Sequence, residues 1–243
     1  MKHIRNSKIT FVEKDHTYYI NDKKVNYSVT EFINLFFPKF NTKEVINTYH
    51  PYWQSDQNSK YYNMAKEEIA QYWRKNSIKA SNDGTTLHRA IELYEKKGIV
   101  SEIGEFGQYL EFRRDFKEFK IVSSEWVIYD EDLNIAGTID CITKIGDEYY
   151  MFDWKRTKEI KEVSKKDAFP PINHLSDASY WKYSLQLNMY KYILKKRYKI
   201  DIKGMYLVAF HPIKENYEVK KVNDLSREVE NMISHNSKKH LYY

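Results

Sequence analysis

The chain changes its hydrophobic period near residue 120, and that switch limits the architectures open to it more than any other feature. Upstream, residues 59–75, 83–97 and 105–119 carry apolar side chains at helical spacing. Downstream, residues 121–129, 135–144 and 148–155 are rich in β-formers and separated by turn sequences, so they read as three antiparallel strands. Helical spacing returns over 177–198, a buried strand follows at 205–210, and a polar helix is expected near 225–234. This order describes an α/β sandwich around a mixed sheet.

The first 27 residues read as a meander, with strand-like runs at 8–12 and 17–20 and a turn at Asn21-Asp22. Ser28 is placed to cap a helix over 29–37, Glu31 three residues on completes a capping box, and Pro38 closes the segment. Residues 158–175, with Pro170-Pro171 and mixed charge, read as a loop.

A chain of 243 residues can bury a sizeable core. Its single cysteine, Cys141, excludes an intramolecular disulfide and any cysteine-ligated zinc or iron-sulfur site, which fits a reducing compartment. Forty Lys and Arg against 34 Asp and Glu, with a pI near 9.0, favour an anionic partner. The 22 Tyr, 12 Phe and 5 Trp supply material for a core and for base stacking, and composition does not divide them between the two. No apolar run approaches the ~20 residues that cross a bilayer, and no segment near the start resembles a secretory signal. Residues 1–10 are basic, but Glu13 and Asp15 follow at once in strand-like sequence, which argues against a transit peptide. A soluble, intracellular protein is expected, in the cytoplasm or with the replication machinery.

Asp153-Trp154-Lys155 is one of eight acid-x-Lys triplets in the chain. It alone follows an apolar β-forming run, Tyr149-Tyr150-Met151-Phe152, and is preceded by a hairpin-compatible strand with its own aspartate. A turn centred on Gly146-Asp147 sets a register in which Asp140 and Asp153 face each other. Directly opposed residues have Cβ atoms ~5 Å apart, and like charges at ~4 Å repel by about 4 kcal/mol at an effective dielectric near 20. Something positive is expected between them, and a hard divalent cation held by carboxylate oxygens is the natural occupant. Alternation puts Lys155 on the same face as Asp153 and turns Trp154 toward the core. The plain alternative is a surface hairpin in which Lys155 neutralises one aspartate. Gly137 inside a strand argues for more, since a strand glycine often marks close approach by another group. His88 and Glu92 share a helix face at i, i+4, as do Gln186 and Tyr190; read by themselves, these are ordinary residues of amphipathic helices.

Taken in order, Gly84-Thr85-x-x-His88-x-x-x-Glu92, Gly137-Thr138-Ile139-Asp140, Asp153-Trp154-Lys155 and Gln186-x-x-x-Tyr190 resemble the motif set of RecB-type nucleases in the PD-(D/E)xK superfamily. The layout is similar to viral and phage members and to the mitochondrial genome maintenance exonuclease. The resemblance implies a restriction-endonuclease-like core over 81–212, with 1–80 as a β-meander and helical elaboration of one nuclease domain, 1–243. It implies that His88, Asp140, Asp153 and the Trp154 carbonyl hold Mg²⁺ or Mn²⁺, and that Lys155 is the catalytic lysine. Gln186 and Tyr190 would brace the site or touch the nucleic-acid backbone, and Glu92 and Glu125 match acidic positions that would support the metal shell or touch a second metal. Branches of the family with an iron-sulfur cluster use four cysteines, and this chain departs from them.

The expected activity is a DNA exonuclease on single-stranded or frayed ends in replication, recombination or repair. Two alternatives stand beside it: an RNA endonuclease of the cap-snatching kind, against which Gln186 and Tyr190 speak, and a non-catalytic nucleic-acid-binding module, against which the intact Asp140, Asp153 and Lys155 speak. Basic and aromatic residues over 61–79 and 156–166 are candidates for guiding a strand, or are ordinary solvated faces.

Overall fold

The computed structural model describes residues 4–15 and 17–239; part of the basic start, residues 1–3, lies outside them. Three short strands, β1 (Ile9–Val12), β2 (Thr17–Ile20) and β3 (Lys23–Lys24), form an antiparallel sheet whose tight turn uses Asn21 and Asp22 at positive φ. Next come β4 (Tyr27–Ser28) and α1 (Val29–Asn34). The capping box is present: the Ser28 hydroxyl accepts from Glu31 N–H at 3.2 Å, and Ser28 N–H donates to Glu31 Oε2 at 2.7 Å.

Helices α2 (Thr42–Ser55), α3 (Lys66–Lys97) and α4 (Gly104–Asp115) lead to the strands β5 (Lys120–Asp130), β6 (Ile135–Ile145) and β7 (Glu148–Arg156). Helix α5 (Ser179–Ile193) runs into a π-helical turn, Leu194–Tyr198. The strands β8 (Ile202–Phe210) and β9 (Glu218–Lys221) follow, and then helix α6 (Ser226–Lys239). The main sheet is mixed: β6 takes β4 in parallel and β5 and β7 antiparallel, while β8 lies parallel to β7 and antiparallel to β9. The α/β class with a central mixed sheet flanked by helices is therefore as the sequence led us to expect.

Two packing facts fix the sheet around the site. α1 and α5 share one apolar core with β6 and β8, through Phe32, Ile139, Leu187, Met189 and Leu207, all 1% exposed or less. On the hairpin, Trp154 is 2% exposed and packs edge-on against Tyr109 and Phe112 of α4. A buried Trp contributes a large apolar area, and such edge-to-face pairs add ~0.5–1.5 kcal/mol each beyond it. That anchoring holds the neighbouring Asp153 and Lys155 toward the opposite face of β7.

The chain divides into two compact units, residues 1–38 with 88–243, and residues 39–87. The meander and α1 belong with the sheet, because β4 pairs with β6 and α1 packs on α5. The second unit is built on α2 and the first part of α3, with Ile46, Tyr61 and Ile69 buried.

Several elements differ from expectation. The helices read at 59–75 and 83–97 merge into a single α3 that begins only at Lys66, residues 59–65 being turns and irregular backbone, and Gly84 lies inside it. Thr85 and Thr86 turn their hydroxyls back to the Ser81 and Asn82 carbonyls at 3.2 and 2.9 Å, so neither side chain caps a helix start. α2 was not foreseen because it contains Pro51 and few apolar residues; its start is fixed by Asn41, whose side chain accepts from Glu44 N–H at 3.1 Å. β9 was missed because Glu218-Val219-Lys220-Lys221 has no apolar alternation, and what makes it a strand is the otherwise free edge of β8. No helix among the described residues is long and apolar enough to cross a membrane.

Candidate active site

The site is built on a break in the sheet. β5 pairs along one edge of β6 from Ile135 to Lys144. The other edge is divided: β4 takes Ile135 and Ala136, and β7 takes Cys141 to Ile145. Gly137-Thr138-Ile139-Asp140 falls in the gap between them, where side chains can enter. The β6–β7 register is the expected one, and it ends one step short of Asp140 and Asp153 at the pair Cys141–Phe152, beyond which β7 keeps only β8, its partner on the other edge from Tyr149 to Arg156. Asp140 fills the fork: its Oδ2 accepts from Trp154 N–H at 2.7 Å.

On the β5 side, the pairs Ser124–Cys141 and Trp126–Ile139 bracket Glu125 and Asp140, which therefore stand opposite each other. Glu125 has φ +47°, a left-handed conformation that a Glu seldom adopts. Backbone strain of this kind costs of order 1–3 kcal/mol and gathers at functional sites. Asp140 is thus flanked by Glu125 on one neighbouring strand and by Asp153 on the other.

His88 on α3 completes one end. Its Nδ1 lies 3.6 Å from Glu125 Oε1 and 3.7 Å from Asp140 Oδ1, and its Nε2 is 3.0 Å from the Trp154 carbonyl. One ligating atom from each of His88, Glu125 and Asp140 lies within 4.8 Å of the others. Asp153 faces the other end, where Lys155 Nζ approaches its Oδ2 at 2.6 Å. Nζ also lies 3.4 Å from Gln186 Oε1 and 4.5 Å from the centre of the Tyr183 ring. Gln186 Nε2 in turn donates to the Tyr190 hydroxyl at 3.0 Å.

The glycine in β6 has a clear use. A Cβ at position 137 would stand 2.7 Å from Tyr190 Cε1 and 3.0 Å from its hydroxyl, so the aromatic ring occupies the space a side chain would need.

Burial pushes the carboxyl groups of Asp140 and Asp153 above the usual range, with His88 drawing Asp140 back and Lys155 drawing Asp153 back. Burial works against protonation of His88, but Asp140 and Glu125 outweigh it and lift the imidazole to about 9. Lys155 is raised as well, burial being outweighed by Asp153 and Asp140. The pocket therefore gathers anionic groups that burial disfavours, beside a histidine and the Trp154 carbonyl oxygen that this histidine meets. That donor set, oxygen-rich with one imidazole, fits a divalent cation.

Of the residues singled out in the sequence, His88, Glu125, Asp140, Asp153, Trp154, Lys155, Gln186 and Tyr190 are brought together. Asp153 is paired with Lys155, and Glu125 takes its place in the set of three nearest ligands. Glu92 is not brought in: Lys96, one turn along α3, binds its carboxylate. Tyr183 went unnoticed, although it lies one turn before Gln186 on α5 and so shares its face.

Acidic and imidazole ligands beside a lysine on a forked hairpin define a class, the metal-dependent phosphodiester hydrolases. The chain belongs to the PD-(D/E)XK nuclease superfamily, whose family model matches residues 49–240, and it is a nuclease of the kind that uses divalent metals. No curated protein matches it. Among solved structures it is similar to the crystal structure of SSO0001, at 11% identity and a TM-score of 0.32, over 63% of this chain and 70% of that one.

Proposed function

We propose that this nuclease is a DNA exonuclease that uses Mg²⁺ or Mn²⁺ and removes nucleotides from single-stranded or frayed ends in replication, recombination or repair. The reading is carried by one observation: a His88, Glu125 and Asp140 set within 4.8 Å, next to a lysine held 2.6 Å from a second aspartate. The choice of DNA ends is supported by the order of the four motifs and by the basic balance of the chain.

His88, Glu125 and Asp140 would hold the cation, with the Trp154 carbonyl and Asp153 completing its surroundings. When bound, the metal supplies positive charge that polarises the scissile phosphate and makes a water more acidic. Asp140 also fixes the backbone at Trp154, so the carbonyl and the carboxylate are held in one frame. Lys155 presents its ammonium to the charge that develops on the phosphate oxygens, the kind of preorganised donor whose removal costs ~10²–10³ in rate. Gln186, steadied by Tyr190, and the face of Tyr183 keep that ammonium from swinging away. Lys155 would thus offset charge beside Asp153, while His88, Glu125 and Asp140 would hold the cation.

The experiment is cleavage of end-labelled single-stranded DNA, duplex DNA, RNA and closed circular DNA, each with Mg²⁺, Mn²⁺ or EDTA. Degradation of linear but not circular DNA, abolished by EDTA and by Lys155→Ala, is expected. Cleavage of the closed circle, preference for RNA, or a Lys155→Ala protein as fast as wild type would remove the proposal.

A further inference from the structure

The unit formed by residues 39–87 leaves half of its eight aromatic side chains exposed. Its buried apolar residues are Ile46, Tyr61, Ile69 and Leu87, yet Phe40 and Tyr52 remain 70% and 69% exposed, and Tyr49 and Tyr72 44% and 42%. Three of these outer rings, Phe40, Tyr49 and Tyr72, are held against inner ones. Tyr49 stacks on Trp53, one turn along α2, with centroids 6.0 Å apart and planes 23° apart. Phe40 lies on Trp73 at 5.9 Å, Trp73 meets Trp53 at 5.9 Å, and Tyr72 meets Tyr61 at 6.3 Å. An inner layer of rings thus holds an outer layer whose free faces point to solvent. Fixing an aromatic in advance removes much of the entropy a ligand would otherwise have to order.

The surrounding charge selects the ligand. Lys60 Nζ sits 4.8 Å from the Tyr61 ring centre and 5.9 Å from that of Tyr72, placing a cation at the edge of the aromatic layer. Residues 74–82 of α3 are exposed on every side and contain Arg74 and Lys75, with Lys79 paired to Asp83 at 2.7 Å. A helical stretch exposed all round has no core to face, and a basic one suits a polyanion. Two of the unit's acids serve the backbone instead: Asp56 accepts from Asn58 N–H at 2.9 Å and Glu68 from Ala65 N–H at 2.6 Å. Lys39, Lys43, Arg74 and Lys75 take part in no ion pair among the described contacts, and Lys39 directly precedes Phe40.

We infer that residues 39–87 form a binding face for single-stranded nucleic acid, stacking unpaired bases on Phe40, Tyr49, Tyr52 and Tyr72 while the nearby Lys and Arg follow the phosphates. Exposed rings are what distinguish this from a face that reads only backbone charge, because every base has an aromatic surface and duplex bases are not available to stack. The face shares with the proposed function only the nucleic acid itself, so the two fail separately.

The test is fluorescence anisotropy with the full chain in EDTA, comparing labelled oligothymidylate with an abasic strand of equal length. Wild type is expected to bind the thymidylate strand more tightly. Phe40→Ala with Tyr52→Ala should weaken that binding by roughly 5- to 150-fold per stacked base, as ~1–3 kcal/mol of stacking implies, and leave affinity for the abasic strand in place. Tyr52→Trp should restore it, which separates stacking from damage to the fold; circular dichroism melting checks the latter directly. Equal affinity of wild type for the two strands overturns the inference. So does a double variant that binds thymidylate within twofold of wild type, including the case in which light scattering shows the face joining two copies of the chain. Hydrolysis of bis(p-nitrophenyl) phosphate by wild type with Mn²⁺ tests the metal site separately.

Discussion

Replacing Gly137 by Ala probes the site through a single methyl group. Its backbone is not in the left-handed region, so alanine is acceptable there on conformational grounds, and the whole effect comes from what the methyl meets. That is Tyr190 Cε1 at 2.7 Å, against the ~3.5–4.0 Å at which carbon atoms rest, so the ring must retreat by roughly 1 Å. Tyr190 is 3% exposed and lies in the core with Leu187 and Met189, which leaves no room for an easy retreat. Overpacking of this sort costs ~1–3 kcal/mol. The same shift pulls on Gln186, bonded to the Tyr190 hydroxyl, and through it on Lys155. A misplacement of ~1 Å at a reacting group can cost ~10²-fold in rate. Urea denaturation should therefore show a lower midpoint, and cleavage of linear DNA by the remaining folded protein should fall by about that factor. Tyr190→Phe keeps the ring and removes only the bond to Gln186, so it should lower the rate with a smaller loss of stability. If Gly137→Ala is as stable and as active as wild type, the linkage from β6 to Lys155 is wrong.

Gly84→Ala is the contrasting case: nothing lies within 4 Å of the added methyl and the residue is inside α3, so unfolding should become harder by ~0.5–1 kcal/mol, read from the same urea curves. Mn²⁺ or Mg²⁺ should raise the melting temperature, equivalent to ~2.7 kcal/mol at a hundred times Kd, and Asp140→Asn should abolish that rise along with cleavage. Asp130, fully buried, accepts from Arg197 and from the Asp132 and Leu133 N–H groups; burial opposes its charge, but these partners hold its carboxyl below the usual range. A carboxyl depressed in the folded state stabilises the protein above its unfolded pKa, and that stability is lost as the pH falls through the folded value. Asp130→Asn should thus cost ~1–3 kcal/mol near neutrality and progressively less in acid. A difference between the two proteins that persists unchanged at pH 2 would contradict this.

The strand trio, the hairpin register, the capping box at Ser28 and the face shared by Gln186 and Tyr190 were all legible in the sequence. Each depends on neighbours a few residues apart, where alternation, turn chemistry and helical spacing act directly. Long-range pairing was not legible. Glu125 is an unremarkable acid in a strand until its register with β6 sets it opposite Asp140, and Glu92 loses its expected place to Lys96 by ordinary helix pairing. β9 exists because β8 offers an edge, and β4 because residues 135–136 of β6 were left without a partner on one side.

The chemistry of this protein was thus set by which residues it carries: two aspartates and a lysine on a hairpin, a histidine before it, an amide and a phenol after it. The sheet decided how they meet. By giving one edge of β6 to two different strands it opened a gap at Gly137 to Asp140, and into that gap went the Tyr190 ring, the Asp140 carboxylate and the Trp154 N–H. A local pattern fixes which face of a strand a side chain occupies, whereas only the packed sheet determines where its hydrogen-bond ladder stops, and the site lies at that point.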